Sequence, residues 1–294
     1  MAPKFSLANL TVLGCPPPEI VRIAARTGYD FVSLRTCLMG LASENRENSL
    51  LENKTMLRAT KEALAETRLG VHDIELVRID ETVDIGLYRP ALELGAELGA
   101  RQVICSIWTT NLGIATERFC ELCDLAKPLG LTINLEFVTW ADVTNLREAM
   151  DILRAADREN VGILVDMLHF HRSCVGLDEL AAVPRKWFTF AHLCDAPKEI
   201  PSSREELIRT GRAERLYVGE GAIDIASILS RMPEVPYSIE LPHLERIGRI
   251  GYEEHALRCI ESAKLYFESH TEIPPSTPVG GNQLIDRQLM RDLG

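Results

Sequence analysis

The chain has 294 residues, and its 32 Lys and Arg against 43 Asp and Glu leave a formal charge of -11 at pH 7. Proteins that take their affinity from nucleic-acid phosphates concentrate Lys and Arg, so this acidic balance argues against DNA or RNA as a partner. With 46% hydrophobic and 26% charged residues there is enough apolar surface for a large core, which argues against wholesale disorder.

Short β-rich runs alternate with amphipathic stretches along the whole chain. The first pair is a strand over Phe5 to Val12 and a helix over Pro17 to Thr27, with Gly28 as a left-handed cap. The next pairs are Tyr29 to Thr36 with Lys54 to Arg68, and Val71 to Ile79 with Tyr88 to Leu98. Gln102 to Trp108 then leads to a helix over Ile114 to Leu129. That helix carries Cys120 and Cys123, a C-x-x-C read as helix thiols because no second pair stands at zinc-ligand spacing. Leu131 to Phe137 pairs with Val143 to Ala156, and Val161 to Leu168 with a short helix over Leu177 to Val183. Phe188 to Leu193 is followed by a long insertion, Ala196 to Gly221, in which Ser202 and Ser203 start a helix, and then by the helix Ile223 to Met232. The last pair is Tyr237 to Leu241 with Tyr252 to Ser269.

Eight strand–helix pairs in about 270 residues match a single-domain (β/α)8 TIM barrel over residues 1–270, followed by a C-terminal tail over 271–294. The rival is an open doubly wound sheet, but no G-x-G-x-x-G follows the first strand. The tail has three prolines, a Gly-Gly and a possible short helix over Asn282 to Leu293. The segment Met1 to Leu13 does not have the pattern of a signal peptide, and no window holds about 18 uninterrupted apolar residues. A cytoplasmic protein with no membrane partner is therefore expected, with the eight cysteines reduced. A homodimer or homotetramer is a prior from the symmetry of soluble proteins.

The strongest chemical signal is the set of residues that end the last four barrel strands: Glu136, Asp166, His192 and Glu240. Counted from Leu131, Val161, Phe188 and Pro236, each is fifth or sixth in its run, so at about 3.3 Å per residue they share one height. Side chains alternate between the barrel interior and the helix layer, which lets all four converge inward at the C-terminal mouth. Two like charges about 4 Å apart repel by roughly 4 kcal/mol at an effective dielectric near 20, and three carboxylates make three such pairs. One divalent cation removes that cost. Oxygen donors with one imidazole suit Mn2+ or Mg2+ best, with Co2+, Zn2+ and Fe2+ also compatible.

These residues stand in recognisable surroundings: Glu136 in Asn-Leu-Glu-Phe, Asp166 and His169 as D-x-x-H, His192 and Asp195 as H-x-x-D, Gly219-Glu220-Gly221 before Ile223-Asp224, and Glu240 in Ser-Ile-Glu-Leu-Pro. The pattern resembles the xylose isomerase-like TIM barrel superfamily, the sugar phosphate isomerases and epimerases, over about residues 5 to 268. Members include D-tagatose 3-epimerase, hydroxypyruvate isomerase, inosose dehydratase, 3-dehydroshikimate dehydratase and endonuclease IV. The resemblance implies that Glu136, Asp166, His192 and Glu240 hold one divalent metal ion. It departs from endonuclease IV, since the third and fourth strands and the insertion lack the extra histidines of a three-zinc site, which removes DNA repair.

Two carboxylates facing a cation point to a proton abstracted next to a carbonyl, with the enediolate stabilised by the metal and Glu136 or Glu240 as the base. Isomerase or epimerase action on a small sugar or related polyhydroxy carbonyl compound, a role in carbohydrate metabolism, is the expected function. A dehydratase of a cyclic hydroxyketone such as an inosose or dehydroshikimate is the alternative, and a metal-retaining protein that only binds is the alternative of another class. His169 is expected to hold a substrate oxygen, unless it caps or faces solvent. Glu75 is either a polar substrate contact or a buried salt bridge, and Trp108 either walls the pocket or is core. Lys198, Arg204, Arg212 and Arg215 in the insertion either meet an anionic substrate group or are solvated charges. Asp195 is expected to orient a metal ligand from behind.

Overall fold

The computed structural model describes residues 2–37 and 45–270. The tail and its expected helix over Asn282 to Leu293 lie outside the described residues. Eight parallel strands close into a barrel in chain order, β1 pairing with both β2 and β8. Closure of that last seam excludes the open doubly wound sheet. The strands are β1 Phe5–Leu7, β2 Phe31–Arg35, β3 Gly70–Ile79, β4 Gln102–Ile107, β5 Thr132–Glu136, β6 Val161–Asp166, β7 Phe188–Leu193 and β8 Tyr237–Ile239. Around them lie α1 Pro17–Thr27, α2 Lys54–Thr67, α3 Arg89–Glu97, α4 Leu112–Ala126, α5 Leu146–Ala156, α6 Met167–Ser173, α7 Leu177–Ala181, α8 Arg204–Ala213, α9 Ile225–Ser230 and α10 Leu244–Ser269.

The period of two sorts the strand residues into two layers. Val103, Cys105 and Ile107 of β4 and Ile133 and Leu135 of β5 face outward into the main core with the helices. Burying a side chain of this kind is worth about 1.5–3 kcal/mol, and the layer runs all the way round the barrel. Inside the barrel, Ile104, Leu164 and Phe190 form a small separate cluster against Leu76. Polar side chains on other interior positions pair with one another, as where the Ser33 hydroxyl donates to Asp73 at 2.5 Å and the Asn134 amide to Gln102 at 2.9 Å.

Most boundaries shift by one to three residues from the sequence expectation, and three differences have a clear local reason. β1 stops at Leu7 and gives way to a 3-10 turn over Asn9–Val12. That turn brings the Thr11 hydroxyl across to β8, donating to the Ile239 carbonyl at 2.6 Å and accepting from the Leu241 N–H at 2.9 Å. β6 ends at Asp166 rather than Leu168 because the Asp166 carboxylate accepts the His169 N–H at 3.0 Å and so caps α6. The last helix starts at Leu244 instead of Tyr252 and is two helical pieces joined at Gly251, which sits at φ 80°. Cys120 and Cys123 are free thiols on α4, as expected for helix residues.

α10 also secures the end of β8. His255 on it is fully buried, with Nε2 3.0 Å from the Leu241 carbonyl and Nδ1 3.2 Å from the Tyr217 hydroxyl. The carbonyl can only accept, so Nε2 carries a proton. Burial is the main reason its pKa falls to about 4. A His whose folded pKa lies below its unfolded value of about 6.5 favours folding fully above that value and loses the contribution as pH falls toward 4, because the unfolded chain then binds the extra proton. The difference is worth about 3 kcal/mol. Stability measured by denaturant titration is expected to drop across this acid window, and His255→Gln should flatten part of the slope. An unchanged slope would contradict the assignment.

Candidate metal centre

Glu136, Asp166 and His192 end or nearly end β5, β6 and β7, and Glu240 immediately follows β8. Asp166 and His192 are direct register partners, while Ser238, two residues before Glu240, is the partner of His192. The backbone at Glu240 is held by its N–H, which donates to the Leu193 carbonyl at 3.0 Å. From these positions each residue offers one ligand atom, and the four atoms lie within 4.8 Å of one another. His192 Nδ1 is the hub, 3.3 Å from Glu136 Oε1, 3.5 Å from Asp166 Oδ2 and 3.4 Å from Glu240 Oε2. All four residues are buried.

The polar atoms of this cluster are not satisfied by one another. His192 Nδ1 and Nε2 and Glu136 Oε1 are buried without a directed hydrogen bond, despite the short distances around Nδ1. Each buried polar atom left in that state costs about 1–3 kcal/mol. One imidazole nitrogen and three carboxylate oxygens converging on a point, with orphaned lone pairs, fit a divalent cation. Charge agrees with this, because three carboxylates, a neutral imidazole as a ligand must be, and the Arg215 guanidinium leave two negative charges for a cation to balance. Among the described residues this is the one such group.

Titration within the cluster follows the same electrostatics. Burial raises Glu136 to about 7, helped by the nearby charges of Glu240 and Asp166 and opposed by His192. Burial also works against ionised Asp166, yet the Arg215 charge, with those of His169 and His192, holds it well below the usual carboxylate range. For His192 burial disfavours the charged ring, but Glu240, Asp166 and Glu136 together outweigh it and push the pKa up.

Arg215 is placed where the sequence reading did not put it. The side chain is fully buried, with Nη1 2.7 Å from Asp166 Oδ2 and 2.9 Å from the Glu240 carbonyl, Nη2 3.0 Å from Glu240 Oε2, and Nε donating to the Gly211 carbonyl at 2.8 Å. It is neither a solvated charge nor a residue of the rim; it clamps two of the three converging carboxylates.

His169 is buried rather than solvent-facing. The Thr139 N–H donates to its Nδ1 at 3.3 Å, which leaves the ring proton on Nε2, and the ring packs edge-on to Trp140 with centroids 4.7 Å apart. Burial lowers its pKa to about 4, so it is a neutral donor at pH 7. Glu75 forms the buried salt bridge that had been weighed for it, to Arg35 at 2.8 Å, while its Oε1 has no partner. Trp108 is half-buried, its indole N–H donating to the Ser106 hydroxyl at 2.8 Å. Arg35, Thr139 and Trp140 were missed in the sequence. Arg35 ends β2 as the four cluster residues end theirs, which was a usable signal; Thr139 and Trp140 belong to a loop and carried none.

Asp195 fastens the insertion instead of touching a cluster residue. Its carboxylate accepts four backbone N–H groups, from Ala196 at 2.8 Å and from Gly219, Gly221 and Ile223 at 3.0 Å each. Gly221 is needed there, since a Cβ would stand 2.3 Å from the Ala196 carbonyl oxygen. Asp195→Ala is expected to cost about 1–3 kcal/mol for each buried donor left unpaired, read as a fall in melting temperature. A melting temperature equal to wild type would contradict this role.

Comparison with known proteins agrees with this architecture. The family model for the xylose isomerase-like TIM barrel matches residues 21–262. An inosose isomerase from Bacillus velezensis is 29% identical over 266 residues, 83% of this chain and 88% of that protein. A 3-dehydroshikimate dehydratase from Pseudomonas aeruginosa is 26% identical over 243 residues, 76% of this chain but 35% of the longer relative. Among solved structures, the IolI protein with a bound zinc atom superposes with a TM-score of 0.71 at 20% identity, covering 88% of this chain and 96% of that one. The similar proteins are isomerases and a dehydratase, which supports an enzyme, and no described helix is long and apolar enough to cross a membrane. The chain belongs to the xylose isomerase-like TIM barrel family.

Proposed function

We propose that this protein is a divalent-metal-dependent isomerase of a polyhydroxylated carbonyl compound, with a cyclic hydroxyketone of the inosose type as the substrate. The observation that carries this reading is the pair of glutamates, Glu136 and Glu240, brought to one point from β5 and from the end of β8 with His192 and Asp166 between them. The four residues would hold the ion, with Mn2+ or Mg2+ best suited to the oxygen-rich donor set. A cation bound there supplies charge that stabilises the oxyanion of an enediolate.

The chain's own groups account for the proton. Glu136, whose carboxylate has a second oxygen besides the one turned to His192, takes the proton from the carbon next to the carbonyl. The same carboxyl returns a proton to the former carbonyl carbon while the proton of the hydroxyl passes to the former carbonyl oxygen, so that the carbonyl moves by one position; Glu240, buried but kept ionised by His192 and Arg215, faces the same space. His169 donates from Nε2 to a substrate oxygen and fixes the substrate's orientation. Burial of the whole group keeps bulk water away from the carbanionic carbon.

Loss of a β-hydroxyl from the same intermediate would give a dehydratase, a second reading favoured by the dehydroshikimate dehydratase relative. The two separate in one experiment. Metal-loaded protein is incubated with an inosose in D2O and followed by NMR and ultraviolet absorbance. A positional isomer carrying solvent deuterium is the expected result; a conjugated enone would establish the dehydratase. Neither product, and no deuterium, from any of a panel of keto sugars and cyclic hydroxyketones would overturn both and leave a binding protein.

A further inference from the structure

Three arginines gather around two tryptophans at the rim of the barrel mouth. Val77 and Ile79 are packed in the outer core, so the alternation of β3 turns Arg78, between them, toward the mouth. Its guanidinium lies 3.9 Å from the centroid of Trp108. Across the rim Arg204, the first residue of α8, donates through Nε to the Trp140 carbonyl at 3.0 Å, and Arg212 lies over the Trp140 ring at 5.9 Å. Trp140 is the ring that abuts His169, whose backbone N–H is bound by Asp166, so this rim adjoins the metal centre.

Among the described residues, neither Arg78 nor Arg204 forms an ion pair with a carboxylate. Asp80, two residues beyond Arg78, turns its Oδ1 to the N–H groups of Thr82 and Val83 and to the Thr82 hydroxyl. Burial is the main influence that disfavours protonated Arg78; the charge of Asp80 supports the protonated form and that of Arg204 opposes it. In a chain with 43 acidic side chains, elsewhere arginines such as Arg26, Arg147, Arg158 and Arg258 find a carboxylate. Two guanidiniums on one rim beside the candidate metal centre, one of them 3.9 Å over an indole and the other anchored to the Trp140 carbonyl, are preorganised for a planar or tetrahedral oxyanion.

We propose that Arg78 and Arg204 bind an oxyanion group of the substrate, a carboxylate or a phosphate, so that the natural substrate is a cyclic hydroxyketone that also bears an acidic group, of which a neutral inosose is a partial analogue. The inference deepens the function proposed above and rests on it for the reaction, though not for the binding.

The test is calorimetry on the full-length, Mn2+-loaded protein with three unreactive probes: shikimate for a carboxylate, myo-inositol 1-phosphate for a phosphate, and neutral myo-inositol. One of the anions is expected to bind about 10–100-fold more tightly than myo-inositol, and which one does so identifies the group. That preference should fall by about 10-fold or more in Arg78→Gln and in Arg204→Gln. Arg204 is exposed, so Arg204→Gln keeps the test available if Arg78→Gln fails to fold. Equal affinity for anionic and neutral probes, or a preference unchanged in Arg204→Gln, overturns the proposal. Anion binding that depends on the arginines, with no proton exchange on any hydroxyketone, would uphold this subsite and sink the isomerase reading. Exchange on a neutral inosose with anion affinity indifferent to Arg204 would do the reverse.

Discussion

Glu136→Gln is expected to lower solvent-deuterium exchange into substrate by about 100-fold to 10,000-fold, the range credited to a positioned general base. The substitution is isosteric and removes one of three crowded carboxylates, so the metal-free variant should fold at least as well as wild type. The pH dependence gives a second readout. A carboxyl raised to about 7 in the fold, against 4.5 in the unfolded chain, disfavours the native state progressively as pH rises from 4.5 through 7. Metal-free wild type should therefore lose stability over that window, and Glu136→Gln should lose less. Exchange that survives the substitution, or identical pH slopes in the two metal-free proteins, would remove Glu136 from the role of base.

Arg215→Met should have the largest effect on stability. The guanidinium is fully buried against Asp166 and Glu240, and removing one member of a buried ionic group leaves uncompensated charge that costs about 3–5 kcal/mol. The loss should be greatest without metal, because a divalent ion at the centre supplies part of the missing positive charge. Thermal melting of both proteins, with and without Mn2+, measures this directly. A metal-free Arg215→Met that melts with wild type would show that the clamp is dispensable. A deficit that metal does not narrow would show that Arg215 and the metal centre are not electrostatically coupled.

The architecture was legible because each strand alternates two layers and each helix has one apolar face, so the eight pairs and the closed barrel follow from periodicity. Boundaries failed where a single side chain overrode the pattern. Asp166 is a strand residue by hydrophobicity and a helix cap by its carboxylate, and the cap ended β6. Thr11 similarly drew the chain out of β1 to the end of β8. The four cluster residues were visible because barrel strands place their last inward side chains at one mouth, a property of sequence position alone. Arg35 obeys the same rule and was readable by it. Arg215 was not, since its position depends on how α8 and the following segment fold back over β6 and β8, which no local pattern encodes. His169 was placed by its distance from Asp166, but the tautomer that makes it a donor comes from Thr139, thirty residues away in a loop.

The claim on which the rest stands is that Glu136, Asp166, His192 and Glu240 hold a single divalent ion. Elemental analysis of the purified protein after reconstitution and desalting, beside a variant combining His192→Ala with Glu136→Gln, measures it directly. The account predicts one ion per chain in wild type and almost none in the double variant, with both proteins folded, because the eight-strand core does not depend on these ligands. Wild type without an ion, or a double variant that retains a full equivalent, would contradict it.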